Sequence, residues 1–430
     1  MKKNLLTLFT FSAIALSACK KDHKVNIAPP YPDMAEAADP AVLMTTADGV
    51  KVYNGGFGSA IAPDPKDANV FYLLTDRGPN AAGSTTNAII FGKADFTPEI
   101  GKFRLKDGKL VLEQTIQLKN AAGQPLNGLP NPIDQGGTGE IAFDLNGNQI
   151  APNADGIDSE GMVLASDGTF WISDEYGPHI VHFDASGKTI ERINPFGTGT
   201  GGRKIPLVFA KRKPNRGMEG LAITPDGKTL VGMMQSPMLN RNKTAVANST
   251  ILRILTFDIA SGATKQYAYV MDNVSLTGVS DIVAVNATTF LTVERDGLYG
   301  GAPSNPATFK KIFKISLTGA TDISDDANGA NGKLYGGKTV EELNDQAGLQ
   351  GAGITPVSKT LVLDLLKDLP TVYPHDKAEG LALLPGNILA ISNDDDFGVL
   401  DNGKGVFAAK ILPATNTVDH NRIYFVKIKL

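Results

Sequence analysis

Residues 157–177, IDSEGMVLASDGTFWISDEYG, hold a complete β-hairpin with acids at both open ends. Glu160-Gly161 opens a short apolar run, Met162-Val163-Leu164-Ala165. Ser166-Asp167-Gly168 supplies the turn, because glycine enters the left-handed region without steric cost. Phe170-Trp171-Ile172 makes the return strand, and Asp174-Glu175-Tyr176-Gly177 ends it. Pairing about a turn centred on Asp167 sets Glu160 roughly opposite Asp174, and such partners lie about 5 Å apart. Like charges at that distance repel unless a cation lies between or beside them.

The same hairpin recurs along the chain. Gly58-Ser59-Ala60-Ile61 leads to 70–74 and Asp76-Arg77-Gly78, followed by strands at 100–106 and 109–118. The opening stretch continues through 180–184 and 189–193. Met218-Glu219-Gly220 starts a third copy, which turns at Pro225-Asp226-Gly227 and adds strands at 251–259 and 263–270. A fourth runs from Val279-Ser280-Asp281 through 289–294, with outer strands at 310–317 and 358–365. The last begins at Ala378-Glu379-Gly380, turns at Pro385-Gly386 and takes its third strand from 422–429. Four-stranded units that leave apolar faces uncovered when alone predict an all-β fold, a β-propeller of five or six blades. The sixth blade would come from 120–157. Residues 41–53 are expected to complete the last blade and close the ring by pairing N- and C-terminal strands. Two packed β-sandwiches would not explain why the acid-Gly hairpin repeats. The 46 Gly and 25 Pro fit many tight turns.

A hydrophobic fraction of 42% supports a large core, and a net charge of −4 gives no reason to expect a nucleic-acid partner. Lys2-Lys3 and the apolar run 5–15 form a leader too short to span a hydrocarbon core of about 30 Å as a helix. Leu16-Ser17-Ala18-Cys19 resembles the lipobox of bacterial lipoproteins, and Cys19 is the sole cysteine. That resemblance implies a signal peptide over 1–18, lipidation of Cys19 and a flexible tether over 19–40, ahead of a propeller domain over 41–430. Several acyl chains would hold the protein on a membrane. Lys20-Lys21-Asp22 does not resemble an inner-membrane retention signal, so an outer-membrane lipoprotein, periplasmic or surface-facing, is expected.

In a propeller the first strand of each blade starts where the second ends, so these acids should meet around one mouth of the channel. The starts offer Glu160, Glu219, Asp281 and Glu379, with Ser59 in the first copy. The ends offer Asp76, Asp174 with Glu175, Glu294 with Asp296, and Asn393 with Asp394 and Asp396, while the third copy ends in Gln235. Glu160, Glu219, Glu294, Glu379, Asp76 and Asp394 are the metal-ligand candidates. An oxygen-only set suits Ca2+, and only five His in the whole chain, with no cysteine in the domain, argue against zinc. Arg77, Arg216, Arg295 and Lys377 stand beside these acids, as internal counter-ions or as partners for an anionic substrate. His179-x-x-His182 would point to opposite faces of a strand. Gly197-x-Gly199-x-x-Gly202 lacks a following helix, Asp144-x-Asn146-x-Asn148 lacks the glycine of a calcium loop, and no G-x-S-x-G elbow is present.

The strings Leu73-Leu74-Thr75-Asp76-Arg77-Gly78-Pro79-Asn80, Asp158-Ser159-Glu160-Gly161, Trp171-Ile172-Ser173-Asp174-Glu175-Tyr176-Gly177, Met218-Glu219-Gly220-Leu221-Ala222 and Ala378-Glu379-Gly380-Leu381-Ala382 resemble the phytase-like family. The resemblance spans roughly 50–430 and implies an envelope β-propeller with phosphoesterase or esterase activity. On that reading a metal held by the ring of acids assists hydrolysis of a small-molecule ester or phosphate. Glu175, Asp174 and Tyr176 form the densest cluster and are the catalytic candidates. The competing expectation is a non-catalytic propeller that binds a ligand or protein at the outer membrane.

Overall fold

Period-two alternation along each strand sends successive side chains into different interfaces, and that division builds the fold. Phe170 and Ile172 join a core with Ala60, Leu74 and Ile100, whereas Trp171 between them joins Leu221, Leu230 and Leu255. Val231 and Met233 pack against Val279, Phe290 and Phe313, and Leu291 and Val293 pack against Leu381, Leu389 and Ile391. Ala382 and Ala390 complete the sequence by packing on Ile61, Phe71 and Phe103. Both faces of the second strand of each repeat are therefore buried, which is why these strands read as nearly continuous apolar runs.

The computed structural model describes residues 31–137, 139–402 and 406–430. The repeats are antiparallel four-stranded units. One comprises Ser159–Leu164, Phe170–Asp174, His179–Phe183 and Thr189–Ile193, and the next comprises Met218–Ile223, Thr229–Met234, Ile251–Asp258 and Thr264–Val270. Gly278–Ala284, Thr289–Arg295, Lys310–Ser316 and Ser358–Asp364 form another. The first and last repeats fuse into one 8-stranded sheet. Ala60–Pro63, Val70–Leu74, Glu99–Lys106 and Lys109–Gln117 make its first half, and Leu381–Leu384, Ile388–Ser392 and Arg422–Lys427 most of its second. The innermost strands touch in chain order, and Leu381–Leu384 touches Ala60–Pro63. The only α-helix among the described residues is Gln346–Gly351.

Met34–Ala37 joins the two halves, antiparallel to Arg422–Lys427 and parallel to Lys109–Gln117. This corrects two expectations. Residues 41–53 form a separate hairpin, Val42–Thr45 with Lys51–Tyr53, and the joining strand lies inside the stretch read as a tether. A four-residue strand whose one fully buried side chain is Ala35 carries little apolar signal. The stretch 120–157 does not form a four-stranded unit of its own. It gives Ile141–Phe143 and Gln149–Ile150 to a sheet completed by Asn80–Ala82 and Ala88–Phe91.

A β-bulge interrupts three innermost strands at the acid: between Ser159 and Met162, between Met218 and Gly220, and between Val279 and Ile282. The bulge shifts the register, so Ser159, not Glu160, opposes Asp174. It also re-aims the acidic side chain. The glycine after the acid is fixed by the neighbouring strand. A Cβ on Gly161 would lie 2.4 Å from the Leu221 nitrogen, and one on Gly220 would lie 2.9 Å from the Asp281 Cα.

Candidate functional site

The starts of the innermost strands and the ends of the second strands enclose a cavity of ≈ 400 Å3. Asp76, Arg77, Glu160, Glu175, Arg216, Glu219, Arg295, Lys377, Glu379 and Asp394 line it, together with Asp158, Gln235, Asp376 and Asp396. Most candidates chosen from sequence therefore converge.

Asp158, Glu160 and Glu175 each bring a carboxylate oxygen within 4.8 Å of the others. Asp158 precedes the bulge, Glu160 sits in it, and Glu175 follows the return strand, whose end is tied back by a Glu175 N–H bond of 3.0 Å to the Asp158 carbonyl. Glu219 flanks this triad and accepts 2.7 Å from the Gln235 amide on Oε1. Glu219 Oε2 and Glu175 Oε1 are buried without a hydrogen-bond partner. Burial, then the neighbouring Glu219 and Asp158, raise Glu160 and Glu175 well above the usual carboxylate range. Burial also brings Asp158 to about 7, against the pull of Arg77. Oxygens around one Ca2+ at about 2.3–2.6 Å lie within about 5 Å of each other, so this spacing fits a hard cation.

The bases are largely engaged with acids. Arg77 lies 3.3 Å from Glu140 and 3.5 Å from Asp158, and donates to Asn80 at 3.2 Å. Arg295 holds Glu379 at 2.5 Å and Ser280 at 2.7 Å. Lys377 bridges Asp394 and Asp396, each at 2.6 Å. Fully buried Lys410 adds contacts of 2.6 Å to Asp396 and 2.8 Å to Asp376. Burial opposes ionisation of Asp396, but these two lysines hold it below the usual range. Burial raises Asp76 well above its ordinary value, with Asp394 and Asp158 adding to the effect.

Asp174, Tyr176, Glu294, Asp281 and Asp296, all singled out from the sequence, lie off the cavity wall. Asp174 is fully buried; its Oδ1 accepts from the Asp158 and Tyr176 amides at 2.8 and 3.1 Å, and its Oδ2 meets His179. It shapes the loop that presents Glu175. The Tyr176 hydroxyl is also buried and donates 2.6 Å to the Gly128 carbonyl. Glu294 faces the opposite side of its strand from Arg295, where Tyr269 and Lys359 reach it. Strand alternation places one of two successive residues at the mouth, and here it is Arg295. Asp281 also turns away from solvent, accepting from the Ile282 and Leu381 amides at 2.8 and 2.7 Å. It ties adjacent innermost strands together. Asp296 caps the Thr308 and Phe309 amides at 2.8 and 2.9 Å. Cys19 lies outside the described residues.

The remaining motifs are structural. His182 stacks on Trp171 with centroids 3.9 Å apart. Asp144 caps the Asn146 and Asn148 amides, both at 2.8 Å. Sequence reading missed Asp158 as a site residue, although it adjoins Ser159-Glu160-Gly161. It also missed Lys410, which no local pattern marks.

The chain is 27% identical to a secreted protein of Arthroderma benhamiae described as uncharacterized, over 50% of this chain and 51% of that one. The chain thus spans about half the length of that relative. Among solved structures it is similar to the periplasmic gluconolactonase of Pseudomonas aeruginosa (8% identity, 93% and 96% of the two chains, TM-score 0.34). It is also similar to the aldose sugar dehydrogenase of Streptomyces coelicolor (12% identity, 92% and 100%, TM-score 0.33). Residues 53–397 match the family described as phytase-like, with the esterase-like activity of phytase, and the chain belongs to that family.

Proposed function

We propose that the protein is a five-bladed β-propeller hydrolase that cleaves a phosphate or other ester at the acidic mouth with the help of a divalent cation, Ca2+. The observation that carries this reading is the Asp158, Glu160 and Glu175 triad, with buried, unpartnered oxygens on Glu175 itself and on neighbouring Glu219. Family membership supports the esterase-like reaction class. The cyclic order of innermost-strand contacts supports five blades.

Asp158, Glu160 and Glu175 would hold the cation, which supplies charge to polarise the ester and acidify water. This revises the ligand set expected from sequence: of its six residues Glu160 stays, Asp76, Glu219, Glu294, Glu379 and Asp394 leave it, and Asp158 and Glu175 enter. Glu219 stands beside the triad with Oε2 open, and its other oxygen is fixed by Gln235. It is placed to take a proton from the attacking water, a role that contributes about 10^2–10^4-fold in rate. Asp174 and Tyr176 serve as positioning residues for Glu175. The bound substrate is a small ester, no nucleic acid is involved, and Cys19 anchors the protein to the bacterial outer membrane, periplasmic or surface-facing. The secreted relative supports an extracytoplasmic location.

Protein comprising residues 31–430 should hydrolyse p-nitrophenyl phosphate or p-nitrophenyl acetate, lose turnover in EGTA and regain it with Ca2+. Absence of turnover on both esters with Ca2+ supplied would overturn the hydrolase reading. A cation that raises the melting temperature without turnover would instead identify a binding module.

A further inference from the structure

The cations at the mouth are not equivalent. Arg77, Arg295 and Lys377 each contact carboxylates within the cavity wall. Arg216 also lines the cavity, but its guanidinium donates to the Thr277 carbonyl and forms no ion pair among the described residues. It is half-buried, as is Lys213 beside it, and Lys243 nearby is exposed. Neither lysine has a carboxylate partner among the described residues. Burial first, then Arg216 and Lys243, push the Lys213 amine below its usual value, so these like charges share one local field. Among the described residues Arg216 is thus the cavity-lining cation left without a carboxylate, and the lysines near it are unpaired as well.

We infer that Arg216, backed by Lys213 and Lys243, forms an oxyanion-binding lip that selects esters bearing a phosphate or carboxylate group. The inference rests on the hydrolase reading for its kinetic arm and on geometry alone for its binding arm. A planar guanidinium with most of its donors open matches two oxygens of either group. The lysines add longer-range attraction that salt would screen. Arg77, Arg295 and Lys377 would remain structural counter-ions, since removing any of them leaves a buried carboxylate unpaired.

The test compares bis(p-nitrophenyl) phosphate and mono-p-nitrophenyl succinate with neutral p-nitrophenyl acetate. Arg216→Ala should lower the anionic-to-neutral ratio of kcat/KM by about tenfold or more, through KM rather than kcat, the worth of one charge-assisted hydrogen bond. Arg216→Lys should keep part of that ratio, and high salt should reduce it in the wild type. An effect on one anionic ester alone identifies which oxyanion the lip accepts. An unchanged ratio, even in a variant with a lowered melting temperature, makes Arg216 a strut for Thr277 and overturns the proposal. If no ester turns over, the hydrolase reading fails, and calorimetric titration of sulfate decides this one. Binding by the wild type that is lost in Arg216→Ala supports it, while equal or absent binding in both overturns it.

Discussion

Asp158, Glu160 and Glu175 would each be ionised in water, yet the fold buries Asp158 and Glu175 and half-buries Glu160, and among the described residues only Arg77 comes within ion-pair distance of the triad. Replacing Glu175 with Gln keeps the shape and removes one charge. Its expected effect is a loss of Ca2+ affinity of about tenfold or more by calorimetry, with greater stability of the metal-free protein at pH 8. A Gln variant that binds Ca2+ as the wild type does would remove Glu175 from the ligand set. Asp281 belongs to the same ring of acids but does different work, because its oxygens are taken by backbone amides. Asp281→Ala leaves those amides buried without acceptors and should cost about 2–4 kcal/mol in urea unfolding, while Ca2+ binding persists. Equal loss of both would mean that Asp281 belongs to the metal site.

The repeated element is a hairpin whose first strand carries an acid in a bulge and a glycine against the next strand's backbone. Gly220→Ala would force a Cβ to 2.9 Å from the Asp281 backbone, and Gly351→Ala would meet nothing within 4 Å. The first should destabilise by about 1–3 kcal/mol through overpacking, and the second should be neutral or slightly favourable. Thermal or chemical unfolding of the two variants separates these outcomes, and equal stabilities would remove the close-packing account. The hairpins and most of the outer strands were legible because apolar period and turn residues are local signals. The bulges were not, since a bulge depends on the strand alongside, and straight pairing wrongly put Glu160 against Asp174. For the same reason Asp174 and Tyr176 looked catalytic: their partners His179, Arg192 and Gly128 are brought in by pairing that no spacing rule reveals. Met34–Ala37 resembled a linker because one buried Ala carries no pattern.

Across the molecule, the mouth acids outnumber the bases that face them, and this sets a pH dependence. Burial raises Asp158 and Asp394 to about 7 and Asp395 to about 8. Unfolded carboxylates titrate near pH 4, so the folded protein holds protons that the unfolded chain releases. Their contribution is fully present below about pH 4 and is lost as pH rises through 7 to 8. His179 works the other way: burial and Arg192 lower it to about 4, so its contribution is lost as pH falls from about 6.5 toward 4. Burial lowers His182, His375 and His420 as well, but unfolded histidines gain protons mostly below about pH 6.5. Between pH 8 and pH 6 the acids therefore dominate, and the melting temperature of the EGTA-treated protein should rise from pH 8 to pH 6. Excess Ca2+ should raise it most at pH 8, where the triad is least protonated. A melting temperature that falls between pH 8 and 6 without Ca2+ would contradict this account. Every role assigned to the mouth depends on where the cation sits. A crystal soaked with Ca2+ and phosphate should show density for the ion among Asp158, Glu160 and Glu175. No ion in the mouth, or one held only by Asp394 and Asp396, would contradict that placement.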